Sequence, residues 1–174
     1  MAGNNIGKLY IPDYHGFVNR QRFCTYSSEI NNQSRVLLSP YFTKKTIKNN
    51  YKGNYELIQF KNIYPSDDGS VELINETIHM KGGTIATLLA SVAIQMGAKN
   101  IYFAGLDGYS SSTSVHHYDE PDEKLKKDLL MQEKSISKQL DCLSNLLMKK
   151  NNGLVKIITP TVYVDYFDKE ILSL

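Results

Sequence analysis

The chain has 174 residues, 41% of them hydrophobic and 22% charged, a composition that suits one globular domain able to bury about 70% of its unfolded surface. Its formal net charge of +2, with lysines scattered in pairs such as Lys44-Lys45 and Lys126-Lys127, argues against a nucleic-acid partner. The apolar runs are too short for a bilayer span and no basic-then-apolar leader opens the sequence, so a cytoplasmic protein is expected.

Residues 1–8 (MAGNNIGK) are small and polar and read as a disordered tail or an expression remnant, leaving 9–174 as a single domain. Residues 9–11 and 16–18 offer short strands, with Arg20 and Arg22 in the polar stretch behind them. The run RVLLS at 35–39 is a clearer strand ended by Pro40, and a helix is expected over 43–49. YELIQF at 55–60 alternates as a strand does, whereas 62–75, with Pro65, Asp67, Asp68 and Gly69, reads as a surface loop.

The centre of the chain is the most explicit. Gly82-Gly83 precede Thr84, a good N-cap, and the apolar helix that follows reaches Met96. Ile85, Leu88, Leu89, Val92 and Met96 share one of its faces, while Ala86, Ala90 and Ala93 keep the rest thin enough to pack closely on a sheet. Gly97 ends the helix, and IYFAG at 101–105 is a buried strand running into Gly105-Leu106-Asp107-Gly108. Helix, turn, apolar strand and glycine loop make half of a βαβ unit and imply an α/β fold with a mainly parallel sheet. Residues 109–123 form a long polar loop, longer than a mere connection needs. A second helix is expected from 125 to about 150, with Leu129, Ile136, Leu140, Leu143 and Leu147 on one stripe. The strand LVKII at 154–158 then leads to Thr159-Pro160-Thr161.

In open α/β sheets ligands bind beyond the carboxyl ends of the strands, which here are residues 105–108 and 159–161. Asp107, between two glycines, could reach a ribose hydroxyl or a metal-bound water, or merely satisfy its own turn. Gly82, Gly83 and Thr84 at a helix start offer free amides to an anion, although the segment is neither a Walker A loop nor a GxGxxG turn. His116 and His117, with Asp119, Glu120 and Asp122 nearby, could supply a general base. Adjacent histidines point apart in an extended chain, and neither they nor Cys24 and Cys142 have metal-ligand spacing. No metal site and no cofactor is therefore expected, and both thiols should be free.

The run GGTIATLLASVAIQMGAKNIYFAGLDGYS resembles the central segment of the bacterial lipooligosaccharide sialyltransferases and of the related motility-associated glycosyltransferase-like proteins. It also resembles a domain at the C-terminal end of HMG-CoA-lyase-like aldolases in surface-polysaccharide clusters, where a tract like HHYDEPDE follows the aspartate-glycine-tyrosine turn. The likeness covers roughly residues 9–165, with its specific part at 82–122. It implies a Rossmann-like three-layer domain binding a nucleotide-linked sugar, or a small phosphorylated or keto-acid compound. By position it assigns Gly82, Gly83, Thr84 and Tyr109 to the ligand, and Asp107 and His117 to catalysis. The family's opening strand and glycine-rich turn have no counterpart before Arg35, so either the chain is the C-terminal part of a longer protein or that nucleotide seat is lost. Two functions follow: a glycosyltransferase-like or nucleotide-sugar-binding domain, and a non-catalytic domain that docks on an aldolase (a lyase) and helps it assemble.

Overall fold

Two apolar runs that flank the first polar stretch become neighbouring parallel strands, and the rest of the chain is laid on them. The structure, a computed structural model, describes residues 1–62, 69–81, 84–108 and 126–170. In chain order its strands are β1 (Ala2–Gly3), β2 (Tyr14–Phe17), β3 (Arg35–Leu38), β4 (Tyr55–Leu57), β5 (Phe60–Asn62), β6 (Val71–Ile74), β7 (Thr77–Met80), β8 (Ile101–Phe103) and β9 (Val155–Ile157). The helices are α1 (Arg20–Tyr26), α2 (Lys44–Asn50), α3 (Ile85–Gln95) and α4 (Lys126–Asn151). The architecture is mixed α/β with parallel sheets, as expected. One sheet, in the order β1-β2-β3-β4, is parallel throughout. β8 and β9 form a parallel pair, and β5 lies parallel to β7, which forms an antiparallel hairpin with β6.

The period of two along β2 and β3 sends alternate side chains to opposite faces, and each face is covered by different helices. Phe17, Val36 and Leu38 meet Phe23, Tyr26, Phe42 and Ile47 of the α1–α2 side in a small, partly aromatic core. Leu37, from the other face, joins the larger aliphatic core built on α3 and α4. There α3 approaches the sheet through glycines: a Cβ on Gly16 would stand 2.7 Å from Leu89, and one on Gly3 2.6 Å from Ile85. The leucine stripe of α4 is buried along its length, at Leu129, Ile136, Leu140, Leu143 and Leu147.

Four segments depart from expectation. YELIQF, expected as one strand over 55–60, divides into β4 in the four-stranded sheet and the start of β5 in the three-stranded one. Residues 1–8, where a tail was expected, carry β1 and a 3-10 turn at Asn4–Lys8, because β1 finds backbone partners on β2. Leu9, Tyr10 and Ile11 are exposed and pair with no strand among the described residues; β2 starts instead at Tyr14. The stretch expected as a loop through residue 75 contains β6, whose hairpin with β7 turns at Asn75 and Glu76, both at positive φ. Two positive φ values are what a two-residue turn between twisted strands demands.

Candidate functional site

The helix start at Thr84 is held by its own first turn. The Thr84 hydroxyl accepts from the Thr87 amide at 3.3 Å, and the Thr87 hydroxyl accepts from the Thr84 amide at 3.2 Å. This reciprocal cap uses two amide donors and leaves those of Ile85 and Ala86 without partners among the described residues. Helix α3 runs opposite to β2: Ile85 and Leu89 lie on Gly16, whereas Val92 and Gln95 share a cleft with Tyr14. Its amino terminus therefore stands at the carboxyl end of β2, where an anion would profit from the dipole.

A second cluster stands beyond β8 and β9. The Thr159 hydroxyl accepts from the Gly105 amide at 2.9 Å and donates to Asp107 Oδ1 at 3.3 Å. Val162 donates its amide to the Asp107 carbonyl at 3.0 Å, and the Thr161 hydroxyl donates to the Leu106 carbonyl at 2.7 Å. Gly105 and Gly108 both have positive φ, and a Cβ on Gly108 would overlap Val162 and stand 3.1 Å from Glu133 Oε2. The backbone of this turn is thus fixed by the neighbouring strand's loop, while the Asp107 side chain remains exposed. An exposed carboxylate steadied by one hydroxyl keeps most of its lone pairs available for a ligand's hydroxyl groups.

Of the residues singled out in the sequence, Thr84 and Asp107 fall among those described. No hydrogen bond joins them to each other; each belongs to its own turn. Gly82, Gly83, Tyr109, His116 and His117 lie outside the described residues. Thr159 has a sharper role than its position past a strand suggests, because its two bonds cross 52 and 54 residues of sequence. Three cations to which the sequence reading gave no site role, Arg20, Lys44 and Lys45, stand exposed in the first turns of α1 and α2, which follow β2 and β3. These first turns contain no acidic residue, and the three cations have no ion-pair partner among the described residues.

Near the cluster, Tyr166 donates to Asp141 Oδ1 at 2.6 Å, and burial first, then Asp141, pushes its phenol far up. It ties the segment after β9 to α4 and stays protonated at neutral pH. Elsewhere a cleft of about 670 Å³ opens between β4, the β6–β7 hairpin and the end of α3. Arg35, stacked 5.8 Å over the Tyr14 ring, and Lys150 share its walls with Glu56 and Glu76, so the lining favours neither sign of charge. Among the described residues no group of three or more His, Cys, Asp or Glu could hold a metal, both cysteines are free, and no helix is long and apolar enough to cross a membrane. Comparisons with protein-family models, with curated proteins and with solved structures return no match.

Proposed function

We propose that the chain is a Rossmann-like three-layer domain that binds a nucleotide-linked or phosphorylated sugar at the carboxyl ends of its parallel strands. The observation that carries this reading is the exposed Asp107 carboxylate, steadied by Thr159 in a glycine-flanked turn beyond the β8–β9 pair. A carboxylate in that place accepts hydrogen bonds from vicinal sugar or ribose hydroxyls. The phosphate end would meet the amides of Ile85 and Ala86, which have no partner among the described residues, and the cations after β2 and β3. The resemblance of residues 82–122 to bacterial glycosyltransferase-like proteins supports the same ligand class and adds Gly82, Gly83 and Tyr109 to the pocket. It also offers His117 as base beside Asp107, and an HMG-CoA-lyase-like aldolase of surface-polysaccharide synthesis as partner. A cytoplasmic location, consistent with two free thiols, belongs with this reading.

A thermal-shift screen tests it. Nucleoside mono- and diphosphates, CMP- and UDP-sugars, sugar phosphates and small 2-keto acids are compared at concentrations up to the millimolar range. A ligand present at a hundred times its Kd adds about 2.7 kcal/mol to stability, a rise of roughly 5–10 °C for a chain of this size. Shifts with phosphorylated sugars but not with the free sugars support the proposal. A flat response to every phosphorylated compound, or a response to keto acids alone, overturns it.

A further inference from the structure

His15 sits in the middle of the β1-β2-β3 ladder and is fully buried. Its Nε2 lies 2.6 Å from the carbonyl oxygen of Asn4. A carbonyl only accepts, so Nε2 carries the proton and the neutral ring leaves Nδ1 as a bare acceptor. Nδ1 is buried and has no hydrogen-bond partner among the described residues. Protonation would therefore create a donor with nothing to receive it, and a positive charge shielded from water.

The surroundings supply little to offset that cost. The register partners of His15 are Ala2 on β1 and Val36 on β3, and the Phe17 ring lies 4.6 Å away. Glu29, which follows α1, is the charge the ring feels; its Oε1 pairs with Lys8 on the 3-10 turn at 3.1 Å, and its Oε2 is buried with no hydrogen-bond partner among the described residues. Burial accordingly lowers the imidazole pKa from its ordinary 6.5, against smaller opposing effects of the Asn4 bond and the Glu29 charge. The segment that His15 holds also reaches further. Gly7 lies so close to Glu29 that a Cβ would overlap its carbonyl oxygen, and Gly3 packs on Ile85, the first residue of α3.

We propose that residues 1–8 form an acid-released strap, closed over β2 and against the start of α3 by neutral His15 and opened when His15 takes a second proton. The strap stands independently of the ligand assigned above, although its opening would loosen the helix start that Thr84 caps. The sign follows from the lowered pKa. Closure is complete above the open-state value of 6.5 and weakens as pH falls from there toward the closed-state value. Across that window opening grows by up to about tenfold per pH unit, the limit for a single linked proton.

Amide hydrogen exchange of the whole chain, corrected for intrinsic chemistry and referenced to the core of α4, measures the opening. Protection at residues 2–10 should fall by up to about tenfold per pH unit below 6.5 while the α4 core holds constant. His15→Gln keeps an amide donor for the Asn4 carbonyl and cannot titrate, so its strap should show no such slope. An identical slope in H15Q overturns the proposal. Should H15Q fail to fold, NMR titration of His15 in the unaltered protein decides: a value below 6.5 supports the strap, and one at or above 6.5 sinks it.

Discussion

Thr84 and Thr159 stand in two turns at the ends of α3 and β9, and their hydroxyls are used differently. Thr84 serves its own helix: its bonds reach only three residues along the chain. Thr159 serves another strand's turn, receiving the Gly105 amide and reaching Asp107. Among the described residues the first turn leaves two backbone donors open, those of Ile85 and Ala86, and the second holds a carboxylate in place. A phosphate fits the one and sugar hydroxyls fit the other. The contrast is between a local cap, whose loss frays one helix end, and a long-range tie, whose loss frees a functional side chain.

The largest effect is expected where the tie depends on backbone shape. Gly108→Ala puts a Cβ on a residue with φ of +92° and into Val162, which cannot yield without moving the loop that donates to Asp107. A loss of about 2–4 kcal/mol in chemical unfolding is expected; a loss under about 0.5 kcal/mol would show the turn to be plastic and the tie unimportant. Thr159→Val comes next. It keeps the shape but returns the exposed Gly105 amide to water and releases Asp107, for an expected cost of about 1 kcal/mol together with weaker binding of any phosphorylated sugar. Thr84→Ala should cost about 1 kcal/mol through the cap alone. Its binding loss should track stability, because the open amides of Ile85 and Ala86 survive it. If Thr84→Ala lowered ligand affinity more than Thr159→Val, the division of labour between the two turns would be reversed.

The local turn was legible in the sequence and the tie was not, for a physical reason. Helix α3 announces itself by its cap and apolar face, and α4 by a stripe whose five named residues are all buried. Strands β3, β8 and β9 were equally visible as short apolar runs next to turn residues. Asp107 and Thr159 could each be placed beyond a strand, but a hydrogen bond between residues 52 apart depends on strand pairing that local pattern does not encode. The β6–β7 hairpin escaped because its turn is Asn75-Glu76, lacking the glycine that marks such turns, and because Pro65 to Gly69 just before it read as a loop. β1 escaped for a related reason: two residues carry no periodicity, and its stability comes from pairing with β2 and from the His15 bond. Conversely, Leu9, Tyr10 and Ile11 look like a strand and remain exposed, with no partner strand beside them among the described residues.

The smallest structural effect tests the functional half of the comparison most directly. Asp107→Asn keeps an oxygen that can still accept from the Thr159 hydroxyl, and it leaves the Asp107 carbonyl, which receives the Val162 amide, untouched. The side chain is exposed, so the core loses nothing and the melting temperature should stay within about 2 °C of the parent. Affinity is another matter. An amide offers one acceptor atom where a carboxylate offers two, and it trades a charge-assisted bond for a neutral one. If sugar hydroxyls are held by this carboxylate, affinity for the compound that gives the largest thermal shift should fall roughly tenfold, or about 1.4 kcal/mol, with the fold unchanged. A variant that binds as tightly as the parent would remove Asp107 from the site and leave Thr159 as a purely structural clasp. A variant destabilised by more than about 2 kcal/mol would make the carboxylate a fold determinant, since a well-solvated side chain has no unmet bonds of that size to lose.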